Sequence, residues 1–299
     1  MDRAYLTIAS DAPSANGQAR VWRPFPEQVA DILCVEDTPG DVAPRTHGRF
    51  AITLLRSPAF IRVESSRSVA AGRNRILLVP RLQLHALRVQ GGMGPGPVTL
   101  LLGASDLEGL GLPERPALVS DADCGEQVAA LVAQLQRPVI SVESVPITRA
   151  VLERLVARST PLRYPRSWRA TPLVLVREYL QAHLDEPIPT AVLAPMSGVT
   201  ECHLIRAFHL EFGLPPHAYH LRLRLAAASE LLSQGLSVST AAYECGFADQ
   251  SHLSRKFKEV YGLTPAAWGN ATAGTRRAPN AATWPGGRRV GVASSRRPS

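Results

Sequence analysis

The sequence runs to 299 residues with 45% hydrophobic and 6% aromatic content, which is enough apolar material for buried cores and too much for a globally disordered chain. Its net charge of +8 is local: residues 1–165 sum to +2, residues 166–268 to zero, and residues 269–299 hold six arginines and no acid, so basicity alone does not argue for a nucleic-acid partner. Four scattered cysteines exclude a clustered zinc site or a C-x-x-C pair, and the absence of a signal-peptide core or a run near ~20 apolar residues points to a cytoplasmic chain outside the membrane.

From about residue 19 to 105 the pattern is that of strands. FAITLL (50–55), AFIRVE (59–64), NRILLVP (74–80), LHALRV (84–89) and PVTLLLG (97–103) are short, apolar or alternating, and bounded by Gly, Pro, Ser or Asn. No helix-length segment separates them, which excludes parallel βαβ units and predicts a sandwich or barrel. The period becomes helical from about 125. EQVAALVAQLQ (126–136) aligns Val128, Leu131, Val132 and Leu135, and PITRAVLERLVARS (146–159) aligns Val151, Leu152, Leu155 and Val156. TPLRYPRSWRATP (160–172), with three prolines, reads as a linker. The residues from 269 on have little to bury and read as a disordered tail.

The remaining region repeats itself. A shift of 49 residues matches His203 with His252, Leu204 with Leu253, Arg206 with Arg255, Phe208 with Phe257, Gly213 with Gly262, Leu214 with Leu263 and Pro216 with Pro265. Phe212 and Tyr219 fall on Tyr261 and Trp268, while Gly198 and Gly246 are 48 apart, so the second copy has one extra residue in its turn. Such a match indicates an internal duplication.

Each copy has the same physical grammar. A short helix (TAVLAPMS or VSTAAYEC) leads to a glycine able to take the positive φ of a tight turn. A second helix follows, with a Leu and a Phe four apart on the core face and an Arg two after the Leu, about 200° round and so outward. A C′ glycine and a proline end it. Between the copies HAYHLRLRLAAASELLSQG sets Leu221, Leu225, Ala228 and Leu232 on one face. Its roughly 18 helical residues span ~27 Å, long enough to hold two reading helices about one DNA turn apart. Thr171 and Pro172 supply an N-cap and an N1 proline upstream. The layout is that of two helix-turn-helix units.

At this point the segment ECGFADQSHLSRKFKEVYGLTPAAW, 244–268, resembles the signature of the AraC/XylS transcription regulators. The resemblance covers about 172–268 and implies a seven-helix DNA-binding domain. PRTHGRF and LLVPRLQLH sit where the family's N-terminal cupin barrels carry their P-H-x-H and I-P-x-x-x-x-H segments. The expected fold is therefore multidomain α+β. A cupin-like barrel over 1–124 senses an effector, a helical dimerisation or packing segment with linker covers 125–165, an all-α domain with two helix-turn-helix motifs covers 166–268, and an Arg-rich tail covers 269–299.

The resemblance implies a DNA-binding regulator, an activator, and no enzyme. Double-stranded promoter DNA, RNA polymerase, a small-molecule effector and a second copy of the chain are its implied partners. The residues expected to face DNA are Thr200, Glu201, Cys202, Ile205 and Arg206 in the first unit. In the second they are Asp249, Gln250, Ser251, Ser254 and Arg255, with Lys256 and Lys258 reaching phosphates. Gln250 suits adenine, and Arg255 suits guanine or phosphate. The first unit departs from the pattern. Pro195 interrupts its leading helix, Pro189 replaces the usual capping residue although Thr190 could cap, Ile205 replaces a polar reader, and Glu201 faces an anionic backbone. The second unit is therefore expected to read more sequence.

In the barrel, Arg45, His47 and His85 could line a mouth for a polar or anionic effector, with Trp22 as an aromatic wall or a core residue. No cofactor is expected. Arg45 stands where metal-binding relatives have a histidine, and no Glu follows His47, so the metal ligand set is incomplete. The alternative reading is a metal-dependent cupin enzyme carrying a DNA-binding module.

Overall fold

The computed structural model describes residues 20–24, 32–37, 41–64, 68–90, 95–135, 144–162 and 172–272. Among these residues there are eleven strands: β1 (Arg20–Trp22), β2 (Ile32–Glu36), β3 (Val42–Arg45), β4 (Phe50–Leu55), β5 (Ala59–Val63), β6 (Val69–Ala71), β7 (Arg75–Val79), β8 (His85–Val89), β9 (Val98–Leu102), β10 (Ala117–Val119) and, after two helices, β11 (Thr160–Pro161). They form two antiparallel sheets, β1-β2-β9-β4-β7-β10-β11 and β3-β8-β5-β6. The helices α1 (Ala122–Leu135) and α2 (Ser144–Ala157) precede β11, and α3 (Pro172–Ala182), α4 (Thr190–Ser197), α5 (Glu201–Phe212), α6 (Pro216–Ser233), α7 (Val238–Glu244), α8 (Gln250–Tyr261) and α9 (Pro265–Thr272) follow it. The expected sheet-rich N-terminal part and all-α double helix-turn-helix part are found, and the strands expected to form a cupin-like barrel lie in two antiparallel sheets among the described residues.

Strand β4 shows how the sequence divides the sheet-rich part. All six of its residues are buried because the larger sheet is covered on both faces. Its alternation sends Ala51 and Leu55 into one core and Phe50, Ile52 and Leu54 into another. The second core is closed by α1 and α2 through Val128, Leu131, Leu135, Leu152 and Leu155. The buried hydroxyls of Thr53 and Thr99 hydrogen-bond each other at 3.0 Å across β4 and β9, which offsets their desolvation. Two expectations change at the edges. Thr160 and Pro161, read as linker, pair with β10 as an edge strand where proline's missing donor is tolerated. Residues 269–272, read as tail, complete α9, with Thr272 fully buried. The rest of the tail, residues 163–171 and the cap at Thr171 lie outside the described residues.

The first core does not stop at the sheets. One continuous buried cluster runs from Val42, Ile61 and Leu87 into Leu180, Leu204, Phe208, Tyr219, Leu253, Phe257 and Trp268. Helix α6 lies at this junction and is buried nearly all round. The sequence suggested one apolar face; the structure shows a second stripe, four residues apart, turned to the loop before β4. Thr46 donates to the Arg222 carbonyl at 3.0 Å. A side chain on Gly48 would meet the Ala226 carbonyl at 2.9 Å. Arg49 forms a fork on the Glu230 carboxylate at 2.6 and 3.0 Å.

A second polar link ties α3 to the end of β5. The Arg177 guanidinium lies 3.3 Å from the Glu64 carboxylate, and the Tyr219 hydroxyl donates to the same carboxylate at 3.5 Å. Glu64 holds a left-handed φ of 42°, a strained value that these contacts stabilise. Burial raises the Glu64 pKa, and Arg177 pulls it back. Arg177→Met is expected to lower the unfolding free energy by about 3–5 kcal/mol, because it leaves a buried carboxylate without its cation. Adding Glu64→Gln should recover most of that loss. Chemical denaturation of the single and double variants measures both effects.

Candidate nucleic-acid interface

Both helix-turn-helix units form as the repeat predicts, and each is built on the same aromatic triangle. Phe208 lies 4.4 Å from Phe212 and 5.4 Å, edge-on, from Tyr219. Phe257 lies 4.6 Å from Tyr261 and 5.7 Å, edge-on, from Trp268. These are the pairs matched by the 49-residue shift, so the duplication seen in sequence is a duplication of packing. With Leu204 and Phe208, or Leu253 and Phe257, fully buried, the opposite faces of α5 and α8 turn outward.

That outward face collects the expected readers. Thr200, Glu201, Cys202, Ile205 and Arg206 are exposed on the first two turns of α5, and Asp249, Gln250, Ser251 and Arg255 on those of α8. Ser254 is half-buried beside them, Lys258 is exposed, and Lys256 is bridged to Glu259 at 2.8 Å within the same helix. Two residues have a further task. The Asp249 carboxylate accepts from the His252 backbone N–H at 2.7 Å and Thr200 from His203 at 3.4 Å, so both are N-caps that aim their helices.

The units are unequal in geometry as well as in sequence. Helix α7 starts at a true cap, Ser237, whose hydroxyl accepts from Thr240 at 3.0 Å. Helix α4 starts after Pro189 with no side-chain cap: Thr190 is already in the helix and does not cap it. Pro195 stays inside α4 at its last turn. The turn glycines both take left-handed φ, 67° at Gly198 and 65° at Gly246. A side chain on Gly198 would meet open space, whereas one on Gly246 would meet the Asp185 carbonyl at 2.4 Å.

Arg224, which amphipathic reading left unassigned, reaches this second turn. Its signal in the sequence is a charge between Leu223 and Leu225, in a helix otherwise built for burial. Its guanidinium donates to the carbonyls of Cys245, at 2.6 Å, and Gly246, and lies 4.5 Å over the Phe247 ring.

In the sheet-rich part, Arg45, His47 and His85 come together and Trp22 does not join them. The imidazoles of His47 and His85 are 5.2 Å apart and both are buried. Arg45 pairs with Asp37 at 2.6 Å. His47 Nε2 has no hydrogen-bond partner among the described residues. Trp22 belongs to the other core, where its indole donates to the Leu135 carbonyl at 3.0 Å, so of its two readings the core one holds. Among the described residues, no group of three or more His, Cys, Asp or Glu could hold a metal, and no helix is long and apolar enough to cross a membrane.

Comparison with known proteins places these features. Residues 193–271 match the helix-turn-helix domain family. The chain is 30% identical over 118 residues to the probable transcriptional regulator LumQ of Photobacterium leiognathi, covering 39% of this chain and 48% of LumQ. It is 30% identical over 146 residues to the transcriptional activator RhaS of Escherichia coli, covering 47% of this chain and 52% of RhaS. The chain thus spans about half the length of these curated relatives. A crystal structure of a probable AraC family transcriptional regulator from Rhodopseudomonas palustris is similar at 30% identity and a TM-score of 0.32, over 34% of this chain and 97% of that one.

The buried histidines give the molecule an acid limit. Burial lowers the pKa of His220 to about 4 and of His85 to about 3, and holds that of His47 well below its ordinary value. A lowered histidine pKa means that the folded state favours the neutral ring. Stability is full above the unfolded value near 6.5 and is lost as pH falls from there towards the folded values. For His220 the drop from 6.5 to about 4 corresponds to about 3 kcal/mol. Thermal unfolding between pH 7 and 4 is expected to flatten in His220→Gln, which keeps a donor for the His183 carbonyl that the native ring meets at 2.6 Å.

Proposed function

We propose that this chain, which carries an AraC-type helix-turn-helix domain over residues 193–271, is a sequence-specific DNA-binding transcription regulator. The two reading helices α5 and α8 are proposed to enter successive major grooves of promoter DNA. One observation carries the reading: two copies of one aromatic-anchored unit each turn the first two turns of a helix to solvent, with Arg206 or Arg255 at the same place on that face. The helix between them, α6, has 18 residues and so a length of ~27 Å, which suits readers about one turn of duplex apart. The balanced charge of residues 166–268 means that affinity rests on a few phosphate contacts rather than a broad basic field.

In this reading residues 1–124 form the sensing part, 125–165 the packing or dimerisation segment, and 166–268 with the rest of α9 the DNA-binding domain. Arg45, His47 and His85 receive a polar or anionic small-molecule effector. The effector shifts the chain between states of different DNA affinity or pairing with a second copy. RNA polymerase is the downstream partner, activation the expected sign, and the cytoplasm the compartment. The effector reading is supported by the burial of Arg45 and His85 near His47, whose Nε2 has no hydrogen-bond partner among the described residues.

The test uses duplexes selected by the wild-type chain from a random pool. Arg255→Ala is expected to abolish preference for the selected site over random DNA, and Arg206→Ala to weaken it less. Anisotropy titrations in which Arg206→Ala costs more would reverse the assignment of the dominant reader, and a wild-type chain that selects nothing would end the reading.

A further inference from the structure

The structure assigns to Arg224 a role in DNA reading without contact with DNA: it is a positioning residue that sets the angle of α8. This rests on the DNA-reading function proposed above and adds how the second unit is aimed. The turn from α7 to α8 is gripped on two sides. From α6, the Arg224 guanidinium donates to the carbonyls of Cys245 and Gly246, the peptides that end α7, and stacks on Phe247, the next residue of the turn. Two donors on consecutive carbonyls fix a peptide plane, and a cation there also complements the partial negative charge of a helix C-terminus.

From the other side, the connection between α3 and α4 presses its Asp185 carbonyl into the space that a Cβ on Gly246 would need. That connection is itself held to α6, where His220 Nε2 meets the His183 carbonyl at 2.6 Å. One helix therefore holds both walls of the seat, and three residues, 247–249, separate the seat from the first turn of α8. The first unit has open space at Gly198. The gripped turn belongs to the unit with the true cap and the polar readers, so the seat lies where a small error in helix angle would displace Gln250 and Arg255 from base edges.

The experiment keeps the full chain and uses duplexes selected by the wild type from a random pool. The block whose protection is weakened by Arg206→Ala, a change on the exposed face of α5, is the one held by α5 and serves as the marked block. Arg224→Met is expected to retain protection of the marked block and to lose protection and base selectivity on the other. Arg224→Lys, which keeps a cationic donor beneath the same carbonyls, is expected to restore part of that protection. If Arg224→Met does not fold, Arg224→Lys decides, with reduced selectivity confined to the unmarked block as the supporting result. Equal loss on both blocks by a folded variant, or unchanged selectivity in both variants, overturns the role. Failure of the wild type to select any sequence overturns the DNA-reading function instead.

Discussion

The burial of α6 on nearly every side is the constraint from which the rest of the molecule follows. A helix between two helix-turn-helix units could have been a solvated strut. Here Arg222, Ala226 and Glu230 meet the loop at residues 46–49, Ser229 and Ser233 receive the Trp268 indole at 3.1 and 3.0 Å, and Arg224 reaches the turn of the second unit. Because one rigid helix satisfies all three neighbours, their positions are not independent. The fork of Arg49 on Glu230 sits in a poorly solvated seam, where a charged hydrogen bond is strong if made and costly if broken.

The duplicated units show one architecture built twice with unequal caps and turns. Both aromatic triangles end in a hydroxyl or carbonyl contact with the sheet-rich part: Tyr219 on Glu64 and, 3.4 Å away, Tyr261 on the Thr46 carbonyl. Both reading helices are therefore packed against residues that adjoin the sheets. They differ in preparation. The second has a hydroxyl cap on α7, a carboxylate cap on α8 and a gripped turn, whereas the first begins at a proline and turns through open space. Entropy already removed in the free protein is not lost on binding, so under the proposed function the preorganised unit is the one expected to contribute more discrimination for the same contacts.

Much of this was legible in the sequence because it is periodic or local. Strand β4 falls on FAITLL residue for residue, and the 49-residue shift pairs the residues that the structure assembles into the two aromatic triangles. The outward positions of Arg206 and Arg255 follow from helical geometry alone. What escaped was long-range. Glu64 and Arg177 are 113 residues apart, and Arg49 and Glu230 are 181 apart; no local period relates them. Proline in β11 hid an edge strand, since Pro161 reads as a breaker until β10 is placed beside it. Trp22 was ambiguous for a similar reason: only the position of α1 decides which core its indole enters. The sequence offers Thr200 and Asp249 only as DNA-facing residues; the structure adds that their side-chain oxygens accept from the His203 and His252 amides and cap α5 and α8.

The most direct measurement is selection of bound duplexes from a random pool by the full chain, with the spacing of enriched positions as the readout. A single rigid reader with α6 at its centre predicts two blocks at one fixed separation of about 10 base pairs, the block held by α8 being the more sharply defined. Two blocks at freely varying separation, or one block alone, would contradict it.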